Sequence, residues 1–365
     1  MKVIIEQTDI VPSYDLESIS PLGEMLLFDI ETTGLKKETT QIYLIGCGYF
    51  NPEGTFEVRQ WLAESAMDER EVLESFFEFA GDYSVLVHFN GDGFDIPYVA
   101  YKAEYYGYDF DFGRFESVDI YKILKPYKKF LGLERMNQTS IEQFLKIERR
   151  DKMNGGLLIP YFYEYERSKD EEAERLLLLH NNDDVRGMIQ LTRALSYADI
   201  FECRFKLKRP AERFGDVLIM EFVPDNPIPV PVMYEDENVL IAAEEDLLQV
   251  NVKIVCTEAK IPVDNVEDYF YLPVEDKIIH KDVAAFVDKK YRKKATKKNC
   301  FLKKAGEYVP TFGLMDEGMA EETACGRYMI PGKKGKLQCA MEASLLLNAQ
   351  EDFLRAYAQK ILTNL

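Results

Sequence analysis

The sequence predicts an α/β fold over residues 1–204, followed by a β-rich α+β region over residues 205–365. Strand and helix signals alternate through roughly the first 200 residues, whereas the sequence from about 205 onward is mostly strand-like and interrupted by prolines. A chain of 365 residues can also form two domains of ~100–200 residues each. In the first domain we expect a mixed sheet, an antiparallel meander continued by parallel strands and flanked by helices.

Three strands are predicted at the start of the first domain. Residues 25–30 are a short apolar run, residues 41–50 are rich in β-branched and aromatic side chains, and residues 55–61 alternate in polarity. Turn-forming residues separate them, among them Gly34 and the Asn-Pro-Glu-Gly sequence at 51–54. Short connections between strands predict an antiparallel meander.

Helices and a further strand follow the meander. Residues 69–80 carry apolar side chains at helical spacing under an acidic face, and residues 84–89 form a buried-type strand. A second helix is expected at about 96–106, and residues 170–197 predict one long helix or two consecutive ones. A helix that crosses from a meander to another strand is typical of an α/β domain with a mixed sheet.

The second region reads as strands followed by a helix. We predict strands at 217–222, 230–234, 239–243 and 248–255, and an amphipathic helix at 341–362. These elements by themselves indicate no function.

Composition limits the classes of protein to consider. The net charge of −19 by itself argues against a nucleic-acid partner. No run approaches the ~20 apolar residues of a membrane span, and the N-terminus carries acid too early for a signal peptide. The six cysteines are scattered without a CxxC pair. We therefore expect reduced thiols, no zinc site and a cytoplasmic location.

The basic charge is concentrated near the C-terminus. Residues 289–304 contain nine Lys or Arg and no acid, and a smaller basic cluster occupies 332–336. Tyr291, Phe301 and Tyr308 lie among the lysines and are candidates for stacking on bases. The alternative is a solvated lysine-rich face. The candidate phosphate contacts are Lys293, Lys294, Lys297 and Lys298.

Two acids follow the first buried strand. Asp29 and Glu31 are two residues apart, so on a strand they face the same side about 6.5–7 Å apart. Paired carboxylates at the end of a buried strand suit Mg²⁺ or Mn²⁺. An Asp-x-Glu pair on a solvated face is the alternative interpretation.

Two further groups of polar residues follow other predicted elements. Asn90 and Asp95 come after the strand at 84–89, where Asp95 is either a functional acid or an N-cap. His180 and Asp184 are four residues apart and would share one face of a helix, with Asp183 as an alternative to Asp184.

In this order, residues 28–35, 90–97 and 180–184 resemble the three motifs of the DEDD exonucleases, the DnaQ-like branch of the ribonuclease H-like superfamily. The chain resembles in particular the stand-alone bacterial predicted exonucleases with a ribonuclease H-like domain, and the stretch 147–191 is similar to that group. The resemblance covers roughly residues 20–200. A spacing of four residues belongs to branches with tyrosine, whereas this sequence has His180 at that spacing.

The resemblance implies a metal-dependent nuclease that hydrolyses phosphodiester bonds of single-stranded DNA or RNA by a two-metal mechanism, most simply a 3′→5′ exonuclease. His180 would be the general base. An endonuclease on the same fold and a catalytically silent nucleic-acid-binding module are the alternatives. The four metal ligands, for two Mg²⁺ or Mn²⁺ ions, would be Asp29, Glu31, Asp95 and Asp184. The substrate-binding residues would be Thr32, Thr33, Gly34, Leu35 and Asn90.

Overall fold

The computed structural model describes residues 1–153, 155–314, 328–332 and 336–365. Its contacts divide the chain into two compact units. The first comprises Met1–Ala198 and Asn226–Val230, and the second comprises Asp199–Asp225 and Pro231–Leu365. A domain boundary at residues 204 and 205 stays a prediction.

The first unit is built on a six-stranded mixed sheet. Its strands are β1 (Lys2–Gln7), β2 (Met25–Thr32), β3 (Ile42–Phe50), β4 (Phe56–Leu62), β5 (Val85–His88) and β6 (Glu116–Asp119). Their order is β1-β4-β3-β2-β5-β6. The pairs β2–β5 and β5–β6 are parallel, and the other neighbours are antiparallel. The predicted mixed sheet, a meander continued by parallel strands, is confirmed.

Seven α-helices accompany this sheet in the described residues up to 201. They are α1 (Glu69–Ala80), α2 (Asp95–Tyr106), α3 (Ile120–Leu124), α4 (Gln138–Phe144), α5 (Gly155–Ser168), α6 (Glu171–Leu191) and α7 (Leu195–Phe201). The helix predicted at 69–80 has those bounds, and the one predicted at 170–197 is two helices, α6 and α7. Asp170 caps α6, because its carboxylate accepts a hydrogen bond of 2.8 Å from the Ala173 amide.

Alternation along β2 directs its side chains to two different layers. Phe28 stacks on Phe76 of α1 with ring centroids 5.1 Å apart, in the apolar core. Asp29 points to the opposite face, where Asn181 of α6 donates a hydrogen bond of 2.9 Å to it. The strand thus uses one face for the core and the other for polar contacts with α6.

The region from residue 205 onward is β-rich, as the sequence predicts. Its strands are β7 (Phe205–Phe214), β8 (Val217–Pro224), β9 (Ile228–Glu235), β10 (Val239–Glu245), β11 (Leu247–Lys253), β12 (Val255–Pro262), β13 (Tyr269–Leu272), β14 (Lys277–His280), β15 (Lys293–Lys294), β16 (Phe301–Pro310), β17 (Tyr328–Pro331) and β18 (Leu337–Glu342). Its helices are α8 (Lys281–Ala284), α9 (Ala343–Leu347) and α10 (Glu351–Thr363). The sheets are a five-stranded β7-β8-β11-β10-β9, a closed barrel β12-β16-β18-β17 and a three-stranded β14-β13-β15.

Two element predictions in this region are wrong. The single helix predicted at 341–362 is the end of β18 followed by α9 and α10, because Met341 pairs with Val309 in the barrel. The strand predicted at 248–255 ends at Lys253, and Val255 begins β12 in the barrel. In both cases a continuous apolar pattern spans residues that belong to two different elements.

Two further sequence expectations concern the whole chain. In the part of the chain that the structure describes, no helix combines the length and apolarity needed to cross a membrane. The described cysteines are free thiols, namely Cys47, Cys203, Cys256, Cys300 and Cys339. Cys325 and the basic residues 333–335 lie outside the described residues.

Candidate active site

The site lies at the carboxyl ends of the parallel strands β2 and β5. Asp29 and Glu31 are on the last residues of β2, beyond Leu27, where the pairing with β5 ends. The chain leaves β5 at His88 and enters α2 at Asp95. The amide of Ile30 donates a hydrogen bond of 3.2 Å to Oδ1 of Asp95. The topology therefore places the first residue of α2 directly beside the acidic end of β2.

Helix α6 crosses the same face of the sheet and completes the site. Asn181 Nδ2 donates a hydrogen bond of 2.9 Å to Asp29 Oδ2, and Asn181 Oδ1 accepts one of the same length from Gln60. Gly46, the β3 residue opposite Asp29, makes this approach possible. A Cβ atom there would overlap Asn181 Oδ1. Glycine is needed here because α6 packs so closely on β3.

His180 lies in the middle of the carboxylates, 6 % exposed. Its Nδ1 is 2.5 Å from Asp151 Oδ2. Its Nε2 is 3.5 Å from Glu31 Oε1 and 3.3 Å from Asp184 Oδ2. The bond to Asp151 therefore fixes the ring so that Nε2 faces the carboxylate cluster.

Asp184 and its neighbour Asp183 have different surroundings. Arg149 lies 2.7 Å from Asp184 Oδ1 and 3.1 Å from the buried Glu142. Asp183 accepts hydrogen bonds of 2.6 and 2.7 Å from the backbone amides of Arg150 and residue 151. The carboxylate of Asp183 thus anchors the loop at 149–151, whereas that of Asp184 faces His180.

Burial and mutual repulsion raise the pKa values of Asp29, Glu31 and Asp95. Desolvation, together with the charges of Asp184 and Asp95, raises the pKa of Asp29 well above its ordinary value. Desolvation raises the pKa of Glu31 to about 8, against the opposing charge of His180. Desolvation also raises the pKa of Asp95 to about 7, although the hydrogen bond from Ile30 opposes it.

The negative charge of the cluster also raises the pKa values of His180 and Arg149. Burial would lower the pKa of His180, but the charges of Asp184 and Glu31 outweigh it and raise this pKa. Burial would likewise lower the pKa of Arg149, yet Asp184 and Glu142 raise it. The negative cluster around them therefore favours the protonated form of each side chain.

The turn after β2 is built by hydrogen bonds of its threonines. Thr32 Oγ1 donates to Gly34 O at 2.9 Å, and Thr33 Oγ1 accepts from the Gln41 amide at 2.9 Å. Leu35, at the tip of this turn, is 84 % exposed. An apolar side chain this exposed, four residues after Glu31 in the sequence, is available to contact a ligand.

Asn90 lies in the turn between β5 and α2. It adopts a left-handed conformation with φ of 62°, and its amide donates a hydrogen bond of 2.9 Å to Asp119. Nearby, His88 accepts a hydrogen bond of 3.0 Å from the Gly91 amide. His88, Asp92 and Asp119 lie close enough to form a group of metal-ligand type. Their side chains, however, already hydrogen-bond to the turn and to Ser117 and Lys122 beside it.

The family comparison agrees with this geometry. A model of the RNase H superfamily matches residues 26–196, which include β2, β5, α2 and α6. Residues 26–196 form an RNase H superfamily domain.

Three known proteins share similarity with parts of the chain. DNA polymerase 1 of Sulfurisphaera ohwakuensis is 45 % identical over 42 residues, 12 % of this chain and 5 % of that protein. The family B DNA polymerase of Pyrobaculum calidifontis matches 48 % of this chain and 25 % of its own, at 20 % identity and a TM-score of 0.39. E. coli exonuclease I in complex with a dT13 oligonucleotide matches 60 % of this chain and 55 % of its own, at 11 % identity and a TM-score of 0.31. The chain thus spans less than two thirds of each of these proteins.

The acidic groups of the RNase H superfamily domain fit a divalent cation. Ligand atoms of Glu31, His180 and Asp184 lie within 4.8 Å of one another. The donors are mainly carboxylate oxygens, which Mg²⁺ and Mn²⁺ prefer. Burial raises the pKa values of Glu31 and Asp95. A cation of charge +2 beside these carboxylates would favour their ionised forms.

The sequence patterns did not identify the residues whose side chains contact and support the acids of the site. Asp151 and Arg149 come from the loop before α5, and Asn181 is the residue after His180. The three consecutive charged residues Arg-Arg-Asp at 149–151 are the local feature of the sequence that could have pointed to these supporting residues. Its partners lie some 30 residues away in the sequence, so no local pattern identifies them.

The predicted lysine contacts belong to the second unit. All four are exposed: Lys293, Lys294, Lys297 and Lys298. Tyr291 is 53 % exposed. Tyr308 is fully buried in the barrel, where its hydroxyl donates a hydrogen bond of 3.0 Å to Lys304 O. The prediction that Tyr308 stacks on bases is therefore wrong.

Proposed function

We propose that this protein is a metal-dependent nuclease, a 3′→5′ exonuclease that acts on single-stranded DNA or RNA. The observation that carries the proposal is the convergence of acids from β2, α2 and α6 at one site, where His180 lies against Glu31 and Asp184, and Asp95 lies beside the end of β2, in an RNase H superfamily domain. Buried carboxylates that repel one another destabilise a fold, so a module that only binds nucleic acid has no use for them. Phosphodiester hydrolysis, in contrast, requires such carboxylates to bind its divalent ions.

The carboxylates would hold the metal. The proposed ligands for two Mg²⁺ or Mn²⁺ ions are Asp29, Glu31, Asp95 and Asp184. When bound, such ions supply activation of the attacking water and neutralisation of the charge that develops on the phosphate. Asn181 donates a hydrogen bond to one oxygen of Asp29, and the Ile30 amide donates one to an oxygen of Asp95. These bonds orient the two carboxylates.

The chain itself would supply the proton acceptor and the grip on the terminal nucleotide. His180 Nε2 faces the acids and would take the proton of the attacking water, with Asp151 holding the ring from Nδ1. Leu35 would pack against the terminal base, and the turn at 32–35 would hold its sugar. The exposure of Leu35 supports this role.

Labelled single strands test the proposal directly. The wild-type protein is incubated with 5′-labelled single-stranded DNA or RNA in Mg²⁺, Mn²⁺ or EDTA, beside Asp29→Ala and Asp184→Ala. We expect a ladder of shortened products with either metal, none in EDTA and none with either variant. Asp82→Ala, which removes an exposed acid of the same unit, should retain the ladder.

Other outcomes would identify the alternatives. Products cut at internal positions would indicate an endonuclease. Binding of the strands without any turnover would contradict the proposal and indicate a catalytically silent nucleic-acid-binding module.

A further inference from the structure

A cleft of about 740 Å³ opens beside the carboxylates. Asp29 and Asp95 form part of its wall, so the cleft is continuous with the acidic site. Another part of the wall comes from residues 121–138, which run from α3 to the start of α4. The cleft is therefore the space next to the acids that a bound molecule would enter.

Three cations line this cleft. Lys125, Lys128 and Arg135 are all exposed, and residues 120–138 contain five Lys or Arg against one acid in a chain of net charge −19. Within the described residues no carboxylate forms an ion pair with these three side chains, whereas Lys122 is paired with Asp92 at 3.2 Å. Their charge is available to a ligand, and it offsets the repulsion that the acids exert on a polyanion.

Aromatic rings complete the lining. Phe89 and Tyr121 are half-buried, with ring centroids 5.8 Å apart, and Phe94 lies beside Asp95. Lys125 Nζ is 5.3 Å from the centre of the Tyr121 ring. Aromatic faces interspersed with lysine and arginine are the pattern that binds single-stranded nucleic acid, with bases stacked on rings and phosphates paired with cations.

We infer that this cleft binds the strand that leads to the cleaved end, with Lys125, Lys128 and Arg135 contacting the phosphates behind the scissile bond. The inference rests on the proposed function and adds to it the path of the substrate. Residues 125–135 then act as the strand-binding wall, and the enzyme should bind a strand more tightly than a single nucleotide.

The test uses the full-length protein and the triple variant Lys125→Ala/Lys128→Ala/Arg135→Ala. Binding of labelled oligo(dT) and oligo(U) of about 4 and about 12 nucleotides, a span that covers common single-strand site sizes, is measured by fluorescence anisotropy in EDTA. We expect the triple variant to bind the longer strands at least tenfold more weakly. The slope of log K against log salt should fall by about 2, since each phosphate contact contributes about 0.7. Lys122→Ala, already neutralised by Asp92, is the matched control and should bind like the wild type.

A second readout separates this inference from the proposed function. Hydrolysis of thymidine 5′-monophosphate p-nitrophenyl ester in Mn²⁺ needs the acids but not the strand-binding wall, because this substrate carries no further phosphates. The triple variant should therefore retain it together with the wild-type melting temperature. If the wild type binds the strands but does not hydrolyse the ester, the proposed function fails and the binding data still decide the inference. Equal strand affinity of the triple variant and Lys122→Ala, or no strand binding by the wild type, overturns the inference.

Discussion

At the scale of single residues, His180 depends on its neighbours for both orientation and charge. Asp151 binds Nδ1, and burial would raise the pKa of Asp151, but the hydrogen bonds from His180 and the Met153 amide lower it. Asp151 therefore stays ionised and stabilises the cationic form of the imidazole. Asp151 is a positioning residue, because its own contact is with the ring and not with the cluster of acids.

Substitutions at these two positions should differ in their effects. We expect His180→Ala to lower the rate of hydrolysis by ~10²–10⁴ with little change in metal affinity. Asp151→Asn should lower it by about 10–100-fold and shift the acidic limb of the kcat profile to lower pH, because the imidazolium loses its carboxylate partner. Steady-state rates of the two variants from pH 5 to 9 measure the loss of rate and the shift of the acidic limb. A near-wild-type rate for His180→Ala would exclude it as the base.

The buried acids also make stability depend on pH. Glu31 has a pKa of about 8 in the folded protein against 4.5 in the unfolded chain, so between these values the folded state binds more protons. The free energy of unfolding therefore falls as pH rises from about 4.5 to 8. We expect the melting temperature in EDTA to drop by about 10–20 °C over this window, since a pKa difference of about 3.5 corresponds to ~5 kcal/mol and each ~1 kcal/mol to about 2–4 °C in a domain of this size.

Glu31→Gln and metal provide the controls for this pH dependence. The variant removes the ionising group, so its melting temperature should depend less on pH and exceed that of the wild type at pH 8 in EDTA. Millimolar Mg²⁺ should raise the wild-type value far more than the variant's. Thermal unfolding followed by circular dichroism measures the pH dependence, the difference between variant and wild type at pH 8, and the effect of Mg²⁺. A wild-type melting temperature that rises toward pH 8 in EDTA would contradict the ionisation of buried Glu31 as the cause.

At the scale of elements, the site depends on how closely α6 packs on β3. Asn181 occupies the space over Gly46, and Val185, one turn later, lies where a Cβ atom on Gly48 would be 2.9 Å away. The two glycines are alternate residues of β3 and so face the same side of the sheet. They let α6 bring His180 and Asp184 down to the end of β2.

Gly46→Ala tests this packing. The added methyl group would overlap the Asn181 amide, so we expect a loss of about 1–3 kcal/mol of stability and a strong loss of activity, because Asn181 can no longer hold Asp29. Chemical denaturation and the single-strand assay measure the two effects. Gly23→Ala, where a Cβ atom meets nothing within 4 Å, is the control. Wild-type stability of Gly46→Ala would show that α6 can shift without cost.

At the scale of the whole molecule, the distribution of charge matters more than its sum. The net charge of −19 includes the acids of the site, while cations are concentrated in residues 120–138 and 289–304. A polyanion responds to the local potential, because charges beyond about 10 Å are screened at ordinary salt. The acidic total therefore does not conflict with a nucleic-acid partner.

The lysines of the second unit allow a test of this distribution. Replacing Lys293, Lys294, Lys297 and Lys298 by glutamine should reduce the salt dependence of strand binding by up to about 3 in the logarithmic slope, if all four contact phosphates. Anisotropy titrations at several salt concentrations measure the slope. Lys206→Gln/Lys208→Gln, which removes two exposed cations from β7 of the same unit, is the comparison. An unchanged slope would mean that the four lysines are only a solvated face.

Much of the local structure and the choice of candidate acids follow from the amino-acid sequence. Polarity patterns are short-range signals, and they predicted β2, β3, β4 and α1 within one or two residues. The motif resemblance singled out Asp29, Glu31, Asp95, His180 and Asp184. The same patterns failed where two elements share one apolar run, as at 341–362, because the pattern carries no information about which sheet a residue joins.

The remaining contacts of the site depend on the tertiary structure. The pairing of Asp151 with His180 and that of Arg149 with Asp184 join residues about 30 positions apart, and the contact of Asn181 with Gly46 depends on helix packing. The cleft at 125–135 becomes visible only when this segment lies beside β2 and α2. Such contacts depend on the three-dimensional path of the chain, which brings together groups that local sequence patterns treat as independent.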